Sequence, residues 1–328
     1  MRSAIIGLGG ISVNHADALK NINGDIVAVC DIVPEKIKSF KAKFSLNSSE
    51  YTDYKEMLRR ERLDVVHVCT PHYLHSEMIC ACLDLDINVF CEKPVAISYE
   101  QLDDIRKSAA NSKAILGVSH QNRYNENIRY AKKILSSSEV TSGVGIIAWC
   151  RDERYYSQAE WRGKWASEGG GVAINQAIHT IDLLQYFCGM PGSVVGHISN
   201  NSLAGVIEVE DTCFGLFDTE SGSRFSIMAT NAMTHTHPFV LMLKNAEHSV
   251  TVLGDSAMIV DGVLITREER TKRVGKNEWG TGHTKIIEDF YGHIERGERF
   301  PIDNCEAEKA VKMILEMYNS NGEKRIIK

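Results

Sequence analysis

The sequence predicts an α/β protein: a doubly wound parallel sheet at the N-terminus, followed by an α+β domain on an open, mostly antiparallel sheet. Three observations predict it. Over the first 120 residues, near-continuous apolar runs alternate with helix-length amphipathic segments, the rhythm of repeated βαβ units. Across residues 193 to about 265 the pattern is almost all β in character with no helix inserted, which favours antiparallel pairing. The length, 328 residues, exceeds what one hydrophobic core usually serves. The expected domains are residues 1–120 and 121–328.

In chain order, strands are expected at 4–6, 26–30, 65–69, 87–91 and 114–118, with helices at 11–22, 34–44, 54–60, 72–85 and 98–111. Pro34 suits a first helical position, and Ser98 followed by Gln101 is a capping-box pattern. A helix near 125–135 and a strand at 143–150 come next. Gly169-Gly170-Gly171 then turns into an amphipathic helix ending near 188. The β-rich stretch follows, with turn signals such as Glu220-Ser221-Gly222-Ser223, and helices at 284–296 and 304–319 close the chain.

Composition narrows the function. Lys plus Arg total 37 against 43 Asp plus Glu, a net charge of −6, which argues against a nucleic-acid binder and against a polybasic membrane-surface protein. No stretch approaches the roughly 18 apolar residues of a membrane span, and the N-terminus lacks a signal-peptide core. A cytoplasmic enzyme is expected. The nine cysteines fit buried, reduced thiols. Cys80, Cys82 and Cys91, near His67, His72 and His75, form no Cys-x-x-Cys pair, so no metal is expected.

The first strand runs into Gly7-Leu8-Gly9-Gly10-Ile11-Ser12 and a helix follows. Gly7 permits the tight turn, and Gly9 lets backbone approach a pyrophosphate at the helix N-terminus. The third fingerprint position holds Ser12 rather than Gly or Ala. Asp31 ends the second strand, where a carboxylate binds the ribose hydroxyls of NAD and repels a 2′-phosphate. Ile32 and Val33 follow with no arginine, so NAD is expected in preference to NADP. Thr70, Pro71 and His75 follow the third strand, at the sheet edge that lines the ligand crevice. Glu92-Lys93-Pro94 ends the next strand at the same edge. Desolvation beside a cationic nicotinamide lowers a lysine pKa and suits Lys93 to proton shuttling.

Together with Trp161-Arg162-Gly163, the triple glycine and Asn175-Gln176-Ala177-Ile178-His179-Thr180-Ile181-Asp182, these motifs resemble the Gfo/Idh/MocA family of oxidoreductases along essentially the whole chain. The resemblance implies a Rossmann domain and a C-terminal α/β domain whose open sheet mediates a homodimer or homotetramer. It implies NAD(P)-dependent hydride transfer to or from a secondary hydroxyl of a sugar, nucleotide-sugar or cyclitol. The family's lysine maps onto Lys93 and its histidine onto His179. Many members carry aspartate four residues before that histidine; here the position is Asn175, so an Asp-dependent proton relay does not carry over. The Asn-Gln-Ala-x-His version, with Gln121-Asn122-Arg123-Tyr124-Asn125, is similar to the branch with nucleotide-sugar 3-dehydrogenases.

On a helical wheel Asn175, His179 and Asp182 share one side. An imidazole titrates near working pH, as a general base requires, and Asp182 is a candidate to orient it. Expected cofactor neighbours are Gly7, Gly9, Gly10, Ile11, Asp31, Ile32, Thr70, Pro71, His75, Glu92, Lys93, Gln121, Trp161 and Arg162. Lys93, Arg123, Tyr156, Asn175, His179 and His283 are the expected substrate contacts, and Lys93 and His179 converge on the reacting centre. The triple glycine is read as letting backbone run close to a ligand. Two rival functions are an NAD-dependent glycosidase working by transient oxidation and a non-catalytic NAD or sugar sensor.

Overall fold

The computed structural model describes residues 1–266 and 282–327, which divide into two compact units. The first contains Met1–Gln121 and the described residues of Arg273–Ala307. The sequence reading assigns that later segment to 121–328; in the structure its described residues cluster with the first unit.

In the first unit β1 (Arg2–Ile6), α1 (Ser12–Asn21), β2 (Asp25–Cys30), α2 (Pro34–Phe44), β3 (Ser49–Tyr51), α3 (Tyr54–Arg60), β4 (Val65–Val68), α4 (His75–Leu83), β5 (Asn88–Cys91), α5 (Tyr99–Asn111) and β6 (Leu116–Val118) alternate. The strands form one parallel sheet in the order β3-β2-β1-β4-β5-β6. That order reverses direction between β1 and β4, which opens a crevice at the strand C-termini. Pro34 is at the start of α2, and the Ser98 hydroxyl accepts from Gln101 N at the start of α5, as the sequence patterns require. The apolar strands are buried on both faces, with Ala4, Ile5, Val65, Val66, Val89 and Phe90 all at 2% exposure or less. The edge strand β3, Ser-Glu-Tyr, has no apolar run to announce it.

A helix from the C-terminal part, α10 (Gly282–Arg296), packs on this unit. Phe290 sits 5.1 Å from Phe90 and 5.3 Å from Phe300, ring centre to ring centre. Gly117 makes room for it, since a Cβ there would lie 2.6 Å from Phe290 Cδ2. Val118 N donates to Ile302 O at 2.9 Å.

The second unit holds α6 (Glu126–Ile134), β7 (Ser142–Ala148), α7 (Glu153–Ser157), α8 (Trp165–Glu168) and α9 (Ile178–Cys188), then β8 (Pro191–Ser199), β9 (Thr212–Thr219), β10 (Arg224–Thr230) and β11 (Val240–Lys244). It continues through β12 (Ser249–Leu253), β13 (Ala257–Val260) and β14 (Val263–Thr266), and ends with most of α11 (Asn304–Ser320) and β15 (Arg325–Ile326). Its nine strands lie in the order β14-β13-β12-β11-β7-β10-β9-β8-β15. All pairings are antiparallel except β7 with β10. Strand residues alternate between buried and open. The buried face carries α9: a Cβ at Gly145 would lie 2.6 Å from Thr180 Cγ2, and one at Gly143 would lie 2.9 Å from Leu184 Cδ2. Those glycines let the helix lie flat on β7.

Candidate active site

In the first unit the turn after β1 is built for close approach. Gly7 has φ +85°, and a Cβ there would fall 2.7 Å from Cys69 O. Gly9 has open space where its Cβ would stand. Ser12 takes the third glycine position because its hydroxyl turns back to Gly9 O at 2.6 Å. The α1 N-terminus has no capping side chain and no acid in its first turn, so its amides suit an anion. The Asp31 carboxylate accepts from Leu8 N and Val33 N, both at 2.9 Å, which ties the end of β2 to the glycine turn. Gly10 and Ile32 are exposed beside it, and Ile11 is half-buried. This cradle fits a dinucleotide.

At the β4 and β5 termini Thr70, Pro71 and Lys93 are half-buried, and the Lys93–Pro94 bond is cis. His75, an expected cofactor neighbour, has no exposed surface, and its ring nitrogens lie 2.7 Å from Pro94 O and 2.9 Å from Thr70 O. It therefore locks the two strand ends together.

Glu92 is also buried, at the end of a polar string that no sequence pattern signals. Ser3 Oγ is 2.6 Å from Tyr291 Oη, and Tyr291 Oη is 2.9 Å from His67 Nε2. His67 Nδ1 lies 2.8 Å from His15 Nδ1, and His15 Nε2 lies 2.8 Å from Glu92 Oε1. Burial alone would raise the Glu92 pKa. The hydrogen bond and charge of His15, with the charges of His283 and Lys93, outweigh burial and hold the carboxyl below the usual carboxylate range. His283, expected at the substrate, is instead buried in this unit, 4.0 Å from Glu92 Oε1. Burial pushes its pKa down to about 4 despite the pull of Glu92. Its neighbours Gly280 and Thr281 lie outside the described residues. Gln121 is buried where the first unit ends.

In the second unit, from Glu168 to Gln185 every residue is buried except Asn175 and His179. One turn apart, these two are the accessible points of an otherwise enclosed segment, which is a poor description of a solvated helix face. Asn175 lies in a π-helical turn over Ala173–Ala177, which leads directly into α9 and His179. Such turns recur at functional sites because they re-aim side chains without ending the helix.

Asp182, expected on the same face, is buried and paired elsewhere. Arg123 donates to it through Nε at 2.8 Å and Nη2 at 2.6 Å, and stacks on Tyr186. Arg123, the expected substrate contact, is only 8% exposed, and this bidentate pair anchors α9. Tyr156 is likewise part of a small core with Leu203, Ile207 and Val209, its hydroxyl accepting from Asn231 Nδ2 at 3.0 Å. Its neighbour Tyr155 meets the site. Tyr155 Oη is 3.4 Å from Asn175 Nδ2 and 3.2 Å from Gln176 Nε2. The Arg162 guanidinium lies over the Tyr155 ring at 4.2 Å and near Trp161 at 5.6 Å.

The triple glycine serves the chain itself. A Cβ at Gly171 would stand 1.9 Å from Glu210 O, and one at Gly170, φ +147°, would stand 2.0 Å from Tyr318 Oη. Glu210 is buried and accepts from Gly171 N at 2.8 Å, Ala173 N at 2.9 Å and Tyr318 Oη at 2.9 Å. It caps the turn from outside. Burial outweighs those bonds and raises its pKa to about 7.

Among the described residues no group of three or more His, Cys, Asp and Glu is placed to hold a metal ion. No described helix is long and apolar enough to cross a membrane.

Comparison with known proteins agrees with this geometry. Residues 1–120 match the family model described as "Oxidoreductase family, NAD-binding Rossmann fold", and residues 128–260 match "GFO/IDH/MocA C-terminal domain". The myo-inositol 2-dehydrogenase of Thermotoga maritima is 27% identical over 58% of this chain and 55% of its own. The 2,7-anhydro-N-acetylneuraminate hydratase of Mediterraneibacter gnavus is 25% identical over 76% of this chain and 66% of its own. The chain thus spans little more than half to just under two thirds of the length of these curated relatives. Among solved structures, the WlbA dehydrogenase of Bordetella pertussis, in complex with NADH and UDP-GlcNAcA, is 23% identical. It superposes with a TM-score of 0.85 over 100% of this chain and 98% of that one, a likeness of fold.

Proposed function

The chain belongs to the Gfo/Idh/MocA oxidoreductase family, and from that premise we propose that it is an NAD-dependent dehydrogenase acting on a secondary hydroxyl of a sugar, nucleotide-sugar or cyclitol. The observation that carries the reading is the accessible pair Asn175 and His179 within the otherwise buried segment 168–185, in a chain that also carries a dinucleotide cradle.

NAD, when bound, supplies the hydride acceptor. Gly7, Gly9, Gly10, Ile11, Asp31 and Ile32 hold its adenosine and pyrophosphate; Thr70, Pro71, Trp161 and Arg162 are its further contacts. Asp31 favours NAD over NADP because a 2′-phosphate would meet its carboxylate. His179 takes the proton of the reacting hydroxyl, and Lys93 donates to the oxygen as negative charge develops on it. Asn175 orients the hydroxyl. A panel of inositols, free hexoses and UDP-sugars is expected to yield NADH with at least one member. Lys93→Ala is expected to cut that turnover by about a hundredfold or more while NADH binding, followed by fluorescence, holds. Full turnover in the variant would remove Lys93 from the chemistry.

The Mediterraneibacter gnavus relative favours a second reading, because hydration involves no net oxidation. A chain that oxidises only transiently would convert its substrate without accumulating NADH, so product analysis beside the absorbance assay separates the two.

The open sheet supports self-association. Val144, Phe214, Leu216, Met228 and Met242 are each at least 36% exposed on β7, β9, β10 and β11. Pairing sets Met228 opposite Phe214, and Met242 opposite Val144, so they form one apolar stripe. A second copy of the chain is the partner proposed for it, giving a homodimer or homotetramer. The nine free thiols support a reducing, cytoplasmic setting.

A further inference from the structure

We propose that Glu168 is the positioning carboxylate of this active site, working through Asn175, and that the pair takes the place of an acid at position 175. The proposal rests on the dehydrogenase reading for its role in turnover.

Glu168 ends α8 and is 1% exposed. A carboxylate so enclosed needs donors, and two are given by the fold. Its Oε2 accepts from Gly163 N and its Oε1 accepts from Asn175 Nδ2. Tyr155 Oη lies 3.4 Å from the same Nδ2. An amide is planar, so committing Nδ2 to Glu168 directs Oδ1 the opposite way. Asn175 is thereby fixed as an acceptor on the accessible side of the turn, where it receives a substrate hydroxyl and orients it for His179. An untethered asparagine would flip and present donor and acceptor alternately; Glu168 removes that freedom. The titratable and charged groups around the pair are Tyr155 and Tyr156 on α7, Arg151 and Arg162 from the flanking segments, Glu210 beside the glycine turn, and His179 one turn on.

The arrangement makes an exchange test possible. Asn175→Asp sets two carboxylates against each other in a buried place, and like charges at contact retain a shared proton. Glu168→Gln leaves one oxygen for two donors. Combining Glu168→Gln with Asn175→Asp restores the bond between the two positions with its direction reversed and keeps the Gly163 bond, while the Tyr155 hydroxyl turns to donate to the new carboxylate. The new amide at position 168 accepts from Gly163 N through its oxygen and donates through its nitrogen to the new carboxylate at position 175. The four full-length proteins, saturated with NAD, are compared by thermal unfolding between pH 5.5 and pH 8.5. Asn175→Asp is expected to lose several degrees relative to wild type as pH rises across this range, and the double variant to recover the wild-type dependence. Turnover on the substrate found in the panel should show an added alkaline-side ionisation in Asn175→Asp. It should also show a fall of about tenfold in kcat, with little change in KM, in Glu168→Gln, and recovery to within about threefold in the double variant.

Glu168→Gln with wild-type kcat overturns the positioning role. A double variant no better than Asn175→Asp overturns the pairing itself. Absence of turnover in wild type overturns the dehydrogenase reading and with it the role in turnover, while the unfolding cycle still decides whether 168 and 175 act as one unit.

Discussion

Glu210 shows how much a single side chain can charge a fold with pH dependence. Its pKa is about 7 against an ordinary 4.5, because burial opposes ionisation more strongly than three donors favour it. Below pH 4.5 folded and unfolded chains both hold the proton, and the contribution to stability is complete. As pH climbs towards 7 the unfolded chain releases it first, and stability falls by on the order of 3 kcal/mol. The unfolding midpoint should therefore decline between pH 5 and pH 8, and Glu210→Gln should flatten that decline. A slope identical in the variant would assign the effect to other groups. None of this is visible in the sequence, where Glu210 is one acid in a polar loop. The same is true of Asp182: its spacing from His179 is right, but a wheel knows nothing of Arg123, which reaches it from 59 residues away.

Elements are easier to read than side-chain roles. Parallel strands buried on both faces leave long apolar runs, and five of the six in the first unit announce themselves this way; β3, three residues on the sheet edge, offers no run. The glycines before His179 do mark a place of close approach, yet the surface approached is Glu210 and Tyr318 rather than a ligand. Gly171→Ala should thus act through the backbone. With a Cβ 1.9 Å from a carbonyl oxygen, the variant is expected to lose about 2–4 kcal/mol in denaturant unfolding and to weaken any substrate-dependent activity with it. An unchanged midpoint would show that the turn can shift without cost. In α7, five residues are too few for periodicity to decide which of Tyr155 and Tyr156 turns inward. The π-helical turn is equally hidden, since its residues fit an ordinary helix pattern.

At the scale of the molecule, the nine-stranded sheet offers one face to α9 and carries an apolar stripe on the other. Met228→Asp, 54% exposed on that open face, should leave the monomer folded and shift sedimentation towards smaller species. Unaltered association would move the proposed contact elsewhere. Alternation along β7, β9 and β10 makes the sheet legible, whereas the membership of α10 does not follow from any local pattern.

That membership carries a consequence for how the polypeptide comes into being. Val118, Phe90, His67 and Ser3 all find partners on residues 290–302, which leave the ribosome only after residues 122–272 of the second unit have been made. The nucleotide cradle, though spelled out by residues 7–12, stands on a floor that is laid last. Until then the nascent sheet exposes greasy surface and leaves one ring nitrogen of His67 unmet, so the growing chain's need for shelter is greatest where its sequence looks most self-sufficient.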